Sequence, residues 1–222
     1  SHLATGKRIA TASDDAAGLA IAKRLESQVR SMAQGERNLA DGVSITRTAE
    51  ASLQTSHEAL GRMRELTVQA QNGTLSSEDR ATIQAEYDQV AAELDQTAGG
   101  TRFGDRALLD GSSGGASAPV ITDGSGGDTP VDIPDMRSSA LGVAGRSVSD
   151  PATVAALDQA SAHVSSVRSQ LGATENRFEH QSEALAVARA SAVEARSRIE
   201  DADVAKEIAD LTRDRILQGM QM

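Results

Sequence analysis

The residue types that most often carry catalysis are sparse and widely separated in this chain. Its four histidines are His2, His57, His163 and His180, and no two of them have the i, i+4 spacing with which a helix presents two imidazoles to a zinc ion. Cysteine is absent, which excludes disulfide bonds and thiolate metal sites. We therefore expect the histidines in solvent or in helix seams, and we predict no metal site.

Two pairs of neighbouring carboxylates are the other candidates for acid and base chemistry. Asp14 with Asp15, and Glu200 with Asp201, are adjacent in sequence, so the members of each pair lie about 100° apart around a helix. That separation suits capping and solvation better than a shared proton. The phosphate-binding, dinucleotide-binding and nucleophile-elbow motifs are all missing from the sequence. The prediction is a protein that is not an enzyme, with no catalytic residues and no cofactor.

Composition limits the remaining classes of function. Acidic residues outnumber basic residues by 32 to 22, which argues against binding to nucleic acid, and no apolar run approaches the ~20 residues of a membrane span. Tyr87, Phe103 and Phe178 are the only aromatic residues among 222. Small aliphatic side chains must therefore fill the core, which favours thin helical bundles over a sandwich or an α/β core.

A long helix is predicted over about residues 14–71. Ser13 is suited to cap it, with Asp14 and Asp15 at the positive end of the helix dipole. No proline interrupts this stretch, although four glycines lie within it. Residues spaced by seven predict a packing seam, and these are Leu25, Met32, Leu39, Thr46, Leu53 and Leu60.

A turn and a shorter helix follow. Asn72-Gly73 is a turn dipeptide, and with Thr74 it also matches a glycosylation sequon. Ser76 and Asp79 have the spacing of a capping box. The helix is predicted over about residues 77–97, ending at the Gly99-Gly100 pair, and its apolar face consists of Ile83, Tyr87, Val90, Leu94 and Thr97.

Residues 99–150 are rich in glycine, serine, aspartate and proline, and they predict a loop rather than a domain. Two short β-like runs, at 120–122 and 131–133, flank a glycine-rich turn and predict a small hairpin.

The last helix is predicted over residues 151–222, with Asp150 as its cap and Pro151 in its first turn. It keeps a heptad register throughout. The a positions are Leu157, Val164, Leu171, Phe178, Leu185, Ala192 and Ile199, and the d positions are Ala160, Val167, Thr174, Gln181, Ala188, Ala195 and Ala202. Alanine at so many d positions allows a partner helix to approach closely.

The fold class is therefore mainly α, an elongated antiparallel bundle of two long helices and one shorter helix, with a small β-hairpin. We predict one rod domain built from residues 1–98 and 151–222, with residues 99–150 as its hairpin and loop. The alternative that the helices leave open is a signalling coiled coil of the chemoreceptor type, which would lack the short third helix and the hairpin.

Seven stretches of the chain resemble bacterial flagellin, in flagellin order. They are LATGKRIATASDDAAGLAIAKRL, RNLADGVSI, RMRELTVQAQNGT, IQAEYDQV, RFGDRALLDG, LGATENRF and ARSRIEDADVAKEIADLTRDRIL. They extend from Leu3 to about Gln218. The resemblance implies a secreted, extracellular subunit of the flagellar filament, which serves motility by self-assembly into a homopolymer. The related hook–filament junction protein is the alternative within the same structural class.

Two departures from the family pattern lead to further expectations. The terminal helices that form the inner tube of flagellin filaments are not represented, so we expect this chain to be a core fragment that is monomeric in solution. The segment between the hairpin and the last helix is short, which predicts a rod without a large outer domain.

The resemblance also implies a receptor surface. Flagellins of some bacteria are bound by Toll-like receptor 5 through an R-x-R-E-L block and a glutamate on the next helix. Arg62, Leu66 and Glu86 match those positions, and Arg64 and Glu65 complete the block, whereas Gly61 replaces the more usual glutamine. Arg62 and Leu66 are i, i+4 neighbours, so we expect an exposed leucine beside an arginine. The other role for this surface is contact between subunits in the filament.

Overall fold

The computed structural model describes residues 7–9, 11–124, 126–201, 208, 209, 212, 213 and 216. Three α-helices dominate the described chain, which confirms the mainly α prediction. They are α1 (Ala16–Ala70), α2 (Ser77–Gly100) and α3 (Ala152–Glu200). Between α2 and α3, the described residues form four short strands and one 3₁₀ turn at Gly115–Ser117, and the strands are β1 (Arg102–Phe103), β2 (Arg106–Ala107), β3 (Val120–Thr122) and β4 (Asp128–Pro130).

The chain forms two compact units. The first consists of Ser1–Arg37, Asp123–Gly126 and Ser182–Met222, and the second of Asn38–Thr122 and Gly127–Gln181. The predicted single rod domain and its boundaries remain a prediction.

In the second unit, α1 and α3 run antiparallel, as four ion pairs made by three arginines demonstrate. Arg47 contacts Glu175 at 2.6 Å and Glu179 at 3.1 Å, Arg168 contacts Glu50 at 2.8 Å, and Arg64 contacts Asp158 at 2.7 Å. Residue numbers rise along one helix as they fall along the other. Beneath these pairs lie the buried side chains of the seam, which are Leu39, Leu53 and Leu60 of α1 and Leu157, Val164, Leu171 and Phe178 of α3.

The heptad register is confirmed over the first five a positions, which are all buried from Leu157 to Leu185. Beyond Leu185 it weakens, because Ala192 is half-buried and the d residue Ala188 is exposed. The predicted helix of residues 151–222 is observed as α3 to Glu200, and Ala202 and most of the residues after it lie outside the described part.

Gly42 explains how α1 and α3 pack closely although most of the side chains between them are small. A Cβ atom on Gly42 would lie 2.9 Å from Cε2 of Phe178 and 3.1 Å from Cγ1 of Ile121, so both side chains would have to shift to accommodate it. The missing side chain therefore makes room for one of the few aromatic rings in the protein. The helix-propensity cost of this glycine is offset by the burial of Phe178.

The start and the anchor of α2 both follow from the sequence. The Ser76 hydroxyl accepts a hydrogen bond from the Asp79 amide at 3.1 Å, and the Asp79 carboxylate accepts one from the Ser76 amide at 3.0 Å, which confirms the capping box. The hydrogen bond that the Ser76 hydroxyl donates to the Asp79 carboxylate at 2.7 Å, followed by the one from the Ser76 amide, holds the pKa of Asp79 below its usual value.

On the inner face, Tyr87 is wholly buried and donates to the Val143 carbonyl oxygen at 2.8 Å. The helix continues past the predicted residue 97 to Gly100.

The segment between α2 and α3 differs from the prediction in two ways. The second hairpin strand is Asp128–Pro130 rather than 131–133, because Val131 and Ile133 are both buried and fill the core instead of extending the ladder. The β3–β4 register pairs Ile121 with Thr129. The β1–β2 hairpin, closed around Gly104 at φ 58°, was not predicted, since two-residue strands carry no periodic signal.

In the first unit, the cap of α1 is Asp15 alone. Its Oδ1 accepts hydrogen bonds from the amides of Ala17 and Gly18 at 3.0 and 2.9 Å. The prediction that Ser13 caps this helix is wrong, because its hydroxyl bonds to Thr11 Oγ1 at 2.7 Å, and Asp14 accepts from the Thr11 amide at 2.9 Å. Ser13 and Asp14 therefore shape the turn that precedes the helix, which begins at Ala16 rather than near residue 14.

The same unit contains a second close approach to α1. The Ser31 hydroxyl donates to the Gly124 carbonyl oxygen at 2.7 Å, and a Cβ atom on Gly35 would lie 1.8 Å from the Asp123 carbonyl oxygen. Only glycine at residue 35 allows this stretch of backbone to rest on the helix.

The protonation of Tyr87 provides a test of this packing. Burial raises its pKa to about 12, from an ordinary value of 10.0. Since the folded state holds the proton more tightly, the stability contributed by the neutral phenol is fully present below pH 10.0 and is lost as the pH rises through about 12. At pH 11, roughly midway between these values, we expect only about a tenth of the full tyrosinate absorbance from the folded chain, and about nine tenths of it after unfolding in urea. Tyr87 is the only tyrosine and there is no tryptophan, so the signal is unambiguous. A midpoint near 10.0 in the folded chain would contradict the burial.

The assignment of the α1 cap is tested by two alanine variants. We expect Asp15→Ala to lower the free energy of unfolding by about 1 kcal/mol and to speed hydrogen exchange of the Ala17 and Gly18 amides, because both lose their acceptor. Ser13→Ala is the matched control. It should change the free energy of unfolding by no more than a few tenths of a kcal/mol and leave the exchange of the two amides unchanged. Urea titration and amide exchange measure both, and an equal loss in the two variants would refute the assignment.

Candidate functional site

The groups that the sequence singles out for chemistry do not converge in the described part of the chain. His163 and His180 are exposed, His57 is half-buried in α1, and His2 lies outside the described residues. No group of three or more histidine, aspartate or glutamate side chains that could hold a metal ion occurs among the residues described. Within that same part of the chain, no helix is both long and apolar enough to cross a membrane.

A charged cluster connects α1 and α2 on the surface of the second unit. Nε and Nη2 of Arg62 donate to the same Glu86 oxygen at 3.1 and 2.5 Å, and Nη1 donates to Glu65 at 3.2 Å. We refer to Arg62, Glu65 and Glu86 as the Arg62 cluster. The hydrogen bond that Arg62 donates to Glu86, followed by the one that it donates to Glu65, raises the pKa of Arg62. The side chains of Arg62 and Glu86 remain 50% and 44% exposed, so the cluster is accessible to solvent.

The local sequence accounts for the position of this cluster. Leu60, Met63 and Leu66 form the buried row of α1, which turns residues 62 and 65 outward. On α2, the buried Tyr87 fixes the rotation of the helix and so places Glu86, its neighbour, beside Arg62.

Two of the predicted interface residues lie elsewhere. Leu66 is only 1% exposed and belongs to the core, so the expected exposed leucine beside Arg62 is wrong. Arg64 bonds to Asp158 of α3 at 2.7 Å, away from Glu86. The five residues predicted as one interface therefore have three different positions. Arg62, Glu65 and Glu86 form the Arg62 cluster, Leu66 lies in the core, and Arg64 forms an ion pair between α1 and α3.

The structure also reveals surface features that sequence analysis missed. A shallow groove of about 450 Å³ runs along α2 next to Glu86, and it is lined by Glu86, Gln89, Val90, Ala92, Glu93 and Gln96. On α1, Val68 is exposed one turn beyond Glu65. The i+3 and i+4 spacing of the groove residues was available in the sequence, but their polarity indicated only a solvated face.

Comparisons with known proteins agree with this architecture. The family model of the bacterial flagellin N-terminal helical region matches residues 1–114, and that of the bacterial flagellin C-terminal helical region matches residues 154–221. A flagellin of Halalkalibacterium halodurans is 37% identical over 97% of this chain and 81% of its own length. The flagellar filament 30.7 kDa core protein of Treponema maltophilum is 34% identical over 97% of this chain and 82% of its own.

A solved structure gives the same result. The crystal structure of Bacillus cereus flagellin superimposes with a TM-score of 0.58 at 31% identity, covering 67% of this chain and 88% of that one. With both family models matched in order, with relatives above 30% identity along nearly the whole chain, and with the three-helix architecture in place, this chain belongs to the bacterial flagellin family of flagellar filament subunits.

Proposed function

We propose that this filament subunit contacts neighbouring copies of itself through the Arg62 cluster and the adjoining groove on α2, and that it does so outside the cell. Its role is structural and serves motility. The observation that carries the proposal is the half-exposed Arg62–Glu86 pair, which joins two helices while leaving donor and acceptor groups open to solvent. Arginine is also a residue type over-represented at the energetic centres of interfaces.

The surroundings of the cluster support the same role. The groove beside Glu86 offers amide and carboxylate groups from Gln89, Glu93 and Gln96, and the exposed Val68 adds an apolar contact. A polar surface with a small apolar element and an arginine is typical of protein interfaces. Because the ion pairs are exposed, they contribute little to folding, so this surface can change without loss of the fold.

Recognition by Toll-like receptor 5 is a second candidate function for the Arg62 cluster. The flagellin positions implied in that recognition include those of Arg62 and Glu86, which are far apart in sequence and 2.5 Å apart here. We infer that a receptor would engage the cluster and Glu65, whereas Leu66 would act only by holding α1 in place.

Filament assembly is expected to depend on the Arg62 cluster. In the bacterium that makes this protein, Arg62→Ala and Glu86→Ala should shorten filaments and reduce swimming by at least about threefold, because each removes a contact at the centre of the proposed interface. Electron microscopy and motility assays measure both effects. Arg47→Ala is the matched control, since Arg47 also bridges two carboxylates, Glu175 and Glu179, and its side chain is 63% exposed.

A charge exchange separates an interface role from an internal one. Arg62→Glu combined with Glu86→Arg restores the pair within the subunit but inverts the charges offered to a neighbour. We expect this double variant to fold with unchanged helicity and to assemble as poorly as the single variants. Recovery of normal filaments would show that only the internal pair matters, and the proposal would be wrong.

Receptor recognition is tested by the affinity of the Toll-like receptor 5 ectodomain for the purified chain, measured by biolayer interferometry. We expect Arg62→Ala and Glu86→Ala each to weaken binding by about tenfold, and Arg47→Ala to leave it within twofold. Leu66→Ala is avoided because it would open a cavity in the core. Absence of binding by the parent chain, or equal binding by all variants, would remove this second function while leaving the assembly proposal intact.

A further inference from the structure

The turn between α1 and α2 contains an exposed Asn72-Gly73 pair that the proposed interface does not use. Asn72 is one of three asparagines in the chain, with Asn38 and Asn176, and it is the only one followed by glycine. Asn38 and Asn176 precede Leu39 and Arg177 inside α1 and α3.

Glycine at residue 73 is not required by the backbone. Its φ is not in the left-handed region that favours glycine, in contrast to Gly104 or Gly111 in the same described part of the chain. A Cβ atom on Gly73 would meet nothing within 4 Å. Any small L-residue would therefore fit here, and what glycine specifically supplies is a backbone nitrogen that no side chain shields.

The Asn72 side chain folds over the following backbone and binds Thr74. Its Oδ1 accepts hydrogen bonds from the Thr74 amide at 3.1 Å and from the Thr74 hydroxyl at 3.0 Å, which is an Asx turn. The ring closed by the Thr74 amide bond contains the Asn72 amide carbon and the Gly73 nitrogen. The two donors also draw electron density from the amide carbon, as donors to a developing oxyanion do.

We propose that Asn72 is a site of spontaneous deamidation. The Gly73 backbone nitrogen attacks Cγ of Asn72, the bond from Cγ to Nδ2 breaks, and ammonia leaves with the proton released from the Gly73 nitrogen, so that a five-membered succinimide remains. Water then adds to either carbonyl of the ring, giving aspartate or isoaspartate at residue 72. Water is the only co-reactant, and nothing is oxidised or reduced.

The products alter the turn in different ways. Both place a negative charge beside Arg80, whose Nη2 donates to the Asn72 carbonyl oxygen at 3.0 Å. Isoaspartate also adds a methylene to the main chain and displaces that carbonyl, which accepts from the Leu75 amide at 3.2 Å as well. The isoaspartate form is therefore expected to loosen the turn immediately before the Ser76 capping box.

The other two asparagines serve as controls within the same molecule. Asn38 donates from Nδ2 to the Thr122 carbonyl oxygen at 3.1 Å, and Asn176 donates to the Gly172 carbonyl oxygen at 2.9 Å. Both lie in helices, where the following amide is held in the helical hydrogen-bond ladder and is not free to attack.

The experiment follows each asparagine by peptide-mapping mass spectrometry while the folded chain is incubated at mildly alkaline pH. We expect Asn72 to convert at least about tenfold faster than Asn38 or Asn176, because attack in the helices requires local unfolding. In Gly73→Ala, conversion of Asn72 should fall by about tenfold, with the thermal unfolding temperature unchanged, because only access to the nitrogen is altered.

Equal rates at the three asparagines would overturn the proposal, and so would a Gly73→Ala variant that converts as fast as the parent chain. A glycan on Asn72 in the protein isolated from its source would also overturn it. A glycan bonded to the amide nitrogen would show that this turn serves as a glycosylation site rather than as a deamidation site.

Discussion

The close approach of α3 to α1 around Phe178 positions the other elements of the second unit. With three aromatic residues in the whole chain, burial depends on aliphatic side chains and on short distances between helices. Because Gly42 has no side chain, Phe178 can pack directly against α1. The small buried residues Ala160 and Val167 keep the distance between the helices short along the rest of the seam. Tyr87 anchors α2 in the same unit, and Glu86 is therefore placed beside Arg62 as a consequence of core packing.

Arginine–carboxylate pairs have two different uses on this framework. Arg47 and Arg64 connect α1 to α3, in line with the seam that both helices share. Arg62 connects α1 to α2 at a surface with an open groove alongside. Exposed pairs of this kind contribute little to folding, but they restrict the rotation of one helix against its neighbour. The same chemistry is thus structural in one place and available to a partner in another.

The helices and their seam could be predicted from sequence because the spacing of the apolar residues and the residues that start or stop helices indicate the same elements. Heptad spacing, absence of proline and the Ser76–Asp79 box each reflect local physics, and the structure reproduces the box and, as far as Leu185, the heptad burial of α3. The cap of α1 could not be chosen, since Ser13, Asp14 and Asp15 are all good caps and only the backbone path selects Asp15. The second hairpin strand was misplaced because burial of Val131 and Ile133 outweighs their β propensity.

The candidate site shows the limit of i, i+4 reasoning most clearly. Residues four apart on a helix are offset by about 40°, so the boundary between core and surface can pass between them. It does so between Arg62 and Leu66, because Leu66 continues the buried row of Leu60 and Met63. Glu86 was predictable only through the family pattern, since no local rule relates it to a residue on another helix.

The glycines of α1 extend this reasoning to the surface itself. Gly35 and Gly42 are required by close contacts within the chain, whereas a Cβ atom on Gly61 would meet nothing within 4 Å. An exposed glycine inside a helix costs about 1 kcal/mol relative to alanine, and no packing in the described chain offsets that cost at Gly61. Gly61 directly precedes Arg62, so its missing side chain leaves the approach to the Arg62 cluster uncovered. A partner that packs closely there would recover the lost contact, which is the arrangement expected if this surface is used by a neighbouring subunit.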